Sequence, residues 1–198
     1  MPAGGIELLL ASTSRYRREL LSRLVADFRM IAPDVDETPR EGETPTRLAA
    51  RLAEAKALAV AAISPGALVV GSDQVADLDG EAIGKPGTRD RAIAQLAASS
   101  GRAVEFHTAV CLADARSDPP ILHAAIDRTR VVFRTLAADE IARYVDRENP
   151  LDAAGSFKSE GAGIVLFERI ETTDPTALIG LPLIALAGLL RRAGFTLP

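Results

Sequence analysis

The chain has 198 residues, 47% of them hydrophobic, with 23 Lys and Arg against 27 Asp and Glu for a net charge of −4. That length supports a sizeable core in a single domain over 1–198, and the negative balance argues against broad binding to nucleic acid polymers. One cysteine, Cys111, no apolar run long enough to span a bilayer and no basic-then-apolar leader pattern together lead us to expect a cytoplasmic protein with no membrane association.

The first apolar run, Ile6 to Leu10, reads as a buried strand. It turns at Ser12, Thr13 and Ser14 into a helical pattern with Tyr16, Leu20 and Leu24 on one face, Ser14 being the expected N-cap. A helix opening there presents unpaired N–H groups, a natural phosphate site. Arg17 and Arg18 in its first turn oppose the helix dipole, a conflict that a bound polyphosphate would relieve. An ordinary capped helix with solvated arginines accounts for this stretch equally well. Residues 32–45 form a proline-interrupted acidic loop in which Asp34, Asp36 and Glu37 crowd together. Hard carboxylate oxygens suit magnesium or manganese, although a solvated loop is the commoner reason for such a cluster. Thr44-Pro45 then starts a helix with Leu48, Leu52, Ala55 and Ala59 as its apolar face through about Ile63, and Lys56 near one edge.

Ser64-Pro65-Gly66 breaks that helix, and ALVVGSD follows as a buried strand that delivers Asp73 at its carboxyl end, where ligands of open α/β sheets collect. Asp79-Gly80 reads as a hairpin turn, and the return strand ends in Gly84-Lys85-Pro86. A capped helix is expected from Thr88 to Ser99, with Gly101 as its stop. Arg102 to Ala115 and Ile121 to Leu136 should form a long antiparallel pair, whose edges a second subunit could cover. After a helix over Ala138 to Arg147 comes AGSFKSEGAG, where Gly155, Gly161 and Gly163 permit close backbone approach to a ligand or simply a flexible loop. A strand over 163–171 and a largely buried helix over 181–194 complete the chain. The two histidines, His107 and His123, do not approach a zinc-ligand pattern.

Taken together, LASTSRYRRELL, DVDETP, the helix carrying Lys56, GSDQV, GKP and AGSFKSEG resemble the Maf family of nucleoside triphosphate pyrophosphatases, in order and approximate spacing. The GSDQV and SFKSEG versions are similar to the branch that hydrolyses 7-methylguanosine triphosphate. The resemblance implies an α/β fold with an elongated mixed sheet flanked by helices and a cleft between two lobes, akin to inosine triphosphatase. It also implies a nucleoside triphosphate substrate, a divalent cation, release of pyrophosphate and a house-cleaning role against modified nucleotides. By position, Asp73 matches the catalytic acid, Ser12, Ser14, Arg17, Lys56 and Lys85 the phosphate-binding residues, and Glu37 with Asp73 the metal ligands. Tyr16, Gln74 and Glu160 match positions that separate the substrate branches. The chain departs from the family at Arg15-Tyr16, where proline and tryptophan are expected, and at Thr108-Ala109, where threonine and glycine are usual. Action on thymidine or uridine triphosphate, and nucleotide binding in regulation of septum formation, are the other readings that the resemblance leaves open.

Overall fold

The computed structural model describes residues 5–198. In the first half of the chain β1 (Leu8–Ala11), α1 (Arg15–Leu21), β2 (Arg29–Ile31), α2 (Pro45–Ala61), β3 (Leu68–Leu78) and β4 (Glu81–Ile83) follow one another. The second half comprises α3 (Arg89–Ser99), β5 (Ala103–Asp114), β6 (Ile121–Phe133), α4 (Ala138–Glu148), β7 (Phe167–Glu171) and α5 (Leu183–Arg192). The strands form one mixed sheet in the order β2-β1-β3-β5-β6-β7, with β4 also on β3. β1 lies parallel to β2 and β3, whereas every other pairing is antiparallel.

Where β3 stops decides where the site can form. A strand ending at Asp73 is what the apolar run predicts; β3 instead continues to Leu78, because β5 pairs with it from Leu68 to Asp77 and supplies the hydrogen bonds that polar residues beyond Asp73 could not earn by burial alone. On its other edge β3 meets β1 only through Gly71 and β4 only from Ala76. Between those contacts Ser72, Asp73, Gln74 and Val75 face a gap in the sheet. A cleft of about 800 Å³ opens there, lined by the turn after β1, the loop before α2, Gly84-Lys85 and the 152–160 segment.

Three apolar clusters hold the walls of this cleft. α2 covers one face of the sheet with Leu48, Ala49, Leu52, Ala53, Ala57 and Val60 against Leu9, Val69 and Cys111. Helices α1 and α5 cover the opposite face through Leu20, Leu21, Leu186 and Leu190. The far end is closed by α3 and α4 around Phe106, Phe133, Phe157 and Phe167, which meet edge to face with centroids 4.8 to 5.7 Å apart.

Several local expectations shift once packing is considered. The buried stripe of α2 includes Ala53, Lys56 and Ala57 rather than Ala55 and Ala59, because the helix is seated against Gly71, whose missing side chain lets it come close. The residues before β7, Ala162–Leu166, form a tight 3-10 turn instead of strand, since Gly163 lies directly over the Lys158 backbone. α5 is largely buried, as expected, through Leu183, Leu186, Leu189 and Leu190, with Ile184 facing outward. The Asp79-Gly80 hairpin is as read, both residues having positive φ, the backbone this two-residue turn requires.

Candidate active site

The turn after β1 is built from its own hydroxyls. Ser12 Oγ accepts from Ser14 N at 3.0 Å, and Ser14 Oγ accepts from Arg17 N at 3.4 Å, so Ser14 is the N-cap that the sequence indicates. α1 has only seven residues, and Arg17 and Arg18 part company in it. Arg18 faces solvent, whereas Arg17 turns into the cleft and donates Nε to the Gly180 carbonyl at 2.9 Å. The positive character of this corner therefore comes from side chains more than from a short helix dipole.

On the α2 side of the gap, Lys56 reaches two carboxylates at once. Its Nζ lies 2.7 Å from Asp73 Oδ1 and 2.6 Å from Glu37 Oε1. A lysine on an amphipathic helix is ordinarily solvated; this one is buried because α2 packs face to face with β3 and its ammonium finds Asp73 there. Burial pushes the Asp73 carboxyl above its ordinary range, more than Lys56 and Arg17 pull it back, and Glu37 adds to the upward push. Burial works the same way on Glu37, but there Lys56, Lys85 and Arg17 together prevail and hold its carboxyl below the usual range. Five residues widely spaced in the sequence, Arg17, Glu37, Lys56, Asp73 and Lys85, thus share one electrostatic neighbourhood. Lys85 stands exposed on the cleft rim.

Consecutive strand residues point to opposite faces, so Gln74 leaves Asp73 on the α2 side and projects toward the other wall. Its amide nitrogen contacts the Ala177 and Leu178 carbonyls at 2.9 and 3.0 Å and Thr108 Oγ1 at 3.0 Å. Carbonyls only accept, which fixes the orientation of the amide and turns Gln74 Oε1 away from that wall. Tyr16 is half-buried on the cleft, and Glu160 is exposed at its rim with one long contact, 3.5 Å, from Ser159 Oγ. The glycines beside Glu160 serve internal packing more than ligand approach. A side chain at Gly155 would meet Phe106 at 3.0 Å, and one at Gly163 would meet the Lys158 carbonyl at 2.4 Å.

Some contributors have no local signature in the sequence. Ser72, wholly buried, lies 2.8 Å from the Ala109 carbonyl and 3.0 Å from that of Gly180, sharing one proton between them. The Gly180 carbonyl therefore receives both Ser72 and Arg17. Arg51 on α2 holds the acidic loop, contacting both Glu43 carboxylate oxygens at 2.6 and 2.8 Å and the Thr38 carbonyl at 3.1 Å. His107 bridges Asp77 and Thr46 at 3.0 and 3.1 Å, tying the start of α2 to β3.

The donor set suits a particular kind of cation site. Among the described residues no three His, Cys, Asp or Glu side chains gather as a metal site. Glu37 and Asp73 offer two hard carboxylates beside Lys56 and Arg17, a donor set whose chemistry fits magnesium or manganese.

A family model described as "Maf-like protein" matches residues 7–193. A protein of Xanthomonas oryzae pv. oryzae (strain MAFF 311018) named 7-methyl-GTP pyrophosphatase is 62% identical over 191 residues, covering 96% of this chain and 98% of that protein. One of Burkholderia thailandensis with the same name is 57% identical over 193 residues, covering 96% and 89%.

Proposed function

This chain belongs to the Maf-like family, and from that footing we propose that it hydrolyses 7-methyl-GTP to 7-methyl-GMP and pyrophosphate, removing a modified nucleotide from the pool. The observation that carries the reading is Lys56 held between Glu37 and Asp73 at the open edge of β3, with Arg17 and Lys85 beside it. A cation group gathered around a buried carboxylate suits a polyanion that is to be cut; a mere triphosphate binder gains nothing from Asp73.

Water attacks the α-phosphorus, its oxygen bonding to phosphorus as the α–β bridging oxygen leaves with pyrophosphate. Asp73 orients that water and takes its proton, a task for which a raised carboxyl is better matched than an ordinary one. Arg17, Lys56 and Lys85 neutralise charge on the phosphates, and the Ser12–Ser14 turn supplies further donors. Glu37 and Asp73 would hold the divalent cation. When bound, that cation supplies Lewis-acid charge stabilisation and lowers the pKa of water. Asp73 has room for both duties once Lys56 exchanges one of its two carboxylate partners for a phosphate oxygen.

Tyr16 offers an aromatic face to the methylated, cationic base. Glu160 accepts from the ring N–H and amino group of guanine, and Gln74 Oε1, turned away from the Ala177 and Leu178 carbonyls, adds an acceptor. The carbonyl edges of uracil and thymine would be repelled by Glu160. The reading places the protein in the cytoplasm, where a reducing milieu suits buried Cys111, whose thiol burial pushes up to about 12. No helix among the described residues is long and apolar enough to cross a membrane. A second copy could cover the edge of β6 before Arg130, where β7 pairing ends and Ile121, Leu122 and Ile126 stand exposed. Incubating the protein with 7-methyl-GTP, GTP, UTP and dTTP and either magnesium or manganese, with pyrophosphate as readout, tests the proposal. Release from the methylated nucleotide above all others is the expected result, and no release from any of them would refute it.

A further inference from the structure

Arg15 folds back over its own neighbour. Its guanidinium carbon lies 4.7 Å from the centroid of the Tyr16 ring, and one terminal nitrogen donates to the Tyr16 hydroxyl at 2.7 Å. Both residues line the cleft, Arg15 exposed and Tyr16 half-buried. The hydrogen bond to the Tyr16 hydroxyl is the largest influence on the charged guanidinium, and the carboxylates of Asp152 and Glu19 act on it weakly through space.

We propose that Arg15 is a specificity-determining residue that weakens the preference for a cationic base by keeping a positive charge on the π face of Tyr16. The inference rests on the reading of Tyr16 as the base-facing aromatic. Ring electrons attract one cation at a time well. A 7-methylguanine that stacks on the face under Arg15 must first displace it. One that stacks on the opposite face meets a ring whose electron density is already drawn toward the guanidinium. On either face the methylated base loses attraction that neutral guanine never depended on. The charge of 7-methylguanine adds a second handle: as pH rises its ring N1 proton leaves, the base becomes net neutral, and the discrimination set by Arg15 fades.

The test compares kcat/KM for 7-methyl-GTP and GTP in the wild type, Arg15→Ala, Tyr16→Leu and the double variant, at pH 6 and pH 9, with circular dichroism as the folding control. Arg15 is exposed, so the Ala variant is expected to fold. Arg15→Ala should raise the 7-methyl-GTP to GTP ratio roughly 3- to 10-fold at the lower pH. The gain should shrink at the higher pH and vanish when Tyr16 is already Leu. An unchanged ratio in Arg15→Ala alongside a shifted ratio in Tyr16→Leu overturns the inference and leaves the base-facing role of Tyr16 standing. An equal fall for both nucleotides in Arg15→Ala assigns the arginine to the triphosphate and also overturns it. A ratio indifferent to Tyr16→Leu removes the base-facing reading, and the inference falls with it.

Discussion

The ammonium of Lys56 sits 2.7 Å from Asp73 Oδ1, with both side chains almost wholly withdrawn from water. The pair joins α2 to the one stretch of β3 that has no strand on its open edge, so the contact that closes the helix onto the sheet also lies on the cleft.

Replacing Lys56 by Met leaves the Asp73 carboxylate buried without its main counter-charge. Breaking one side of such a pair should destabilise the fold by about 3–5 kcal/mol while Asp73 stays ionised. Asp73 should answer by holding its proton to higher pH, moving the acid limb of the rate profile upward with it. Urea unfolding and a pH–rate profile measure the two effects. Wild-type values for both would mean that the pair is not formed in solution.

Asp73→Asn should lower kcat by about 10²-fold or more while the protein remains folded. The wild-type carboxyl is raised above its unfolded value, so the contribution to stability is full at low pH and declines as pH rises through the folded value. Activity runs the other way, rising as Asp73 ionises. Asparagine cannot titrate, so the decline in stability across that window should disappear in the variant. Parallel stability curves for the two proteins would contradict the assignment.

The Arg51 clamp on the acidic loop gives a pH signature of opposite sign. Its hydrogen bonds hold the Glu43 carboxyl down at about 2 against an ordinary 4.5. A depressed carboxyl contributes stability that is present above its unfolded value and lost as pH falls through the folded one. Stability should therefore fall between about pH 4.5 and about pH 2, and Arg51→Met should flatten that segment. The same variant frees the loop that carries Glu37, so the divalent cation concentration for half-maximal rate should rise. If neither the acid slope nor the cation requirement moves, Arg51 does not position the loop.

Gly71→Ala tests how closely α2 lies on the sheet. An added Cβ would stand 2.2 Å from the Ala53 carbonyl and 2.6 Å from Ala57 N, both backbone atoms that cannot swing aside. Forcing the helix outward should cost about 1–3 kcal/mol or more and carry Lys56 away from Asp73. Thermal unfolding and kcat should both drop; a variant with unchanged midpoint and rate would show that the helix has room to spare.

Much of the architecture can be read from local chemistry, because it depends on neighbours in the chain. Ser14 and Thr44 cap their helices where their hydroxyls can reach an N–H three residues on, and Asp79-Gly80 turns because those two residues tolerate positive φ. The apolar runs mark β1 and β3, and the long alternation marks β5 and β6. Family resemblance then singles out Asp73, Lys56 and Arg17, though no periodicity could distinguish Lys56 from a solvated lysine.

What only the tertiary structure decides is what lies across space from these residues. The gap at Ser72–Val75 exists because β1 ends opposite Gly71 and β4 begins opposite Ala76, a fact about the register of three strands. Gly180 holds Arg17 from 163 residues away, and the Gly180 carbonyl is shared with Ser72, 108 residues before it. Hydrogen-bond geometry, caps and turns act over a few residues and leave their mark on composition there. Burial, charge pairing and the shape of the cleft arise from segments distant in the chain, whose side chains acquire their energies only when the fold has brought them together.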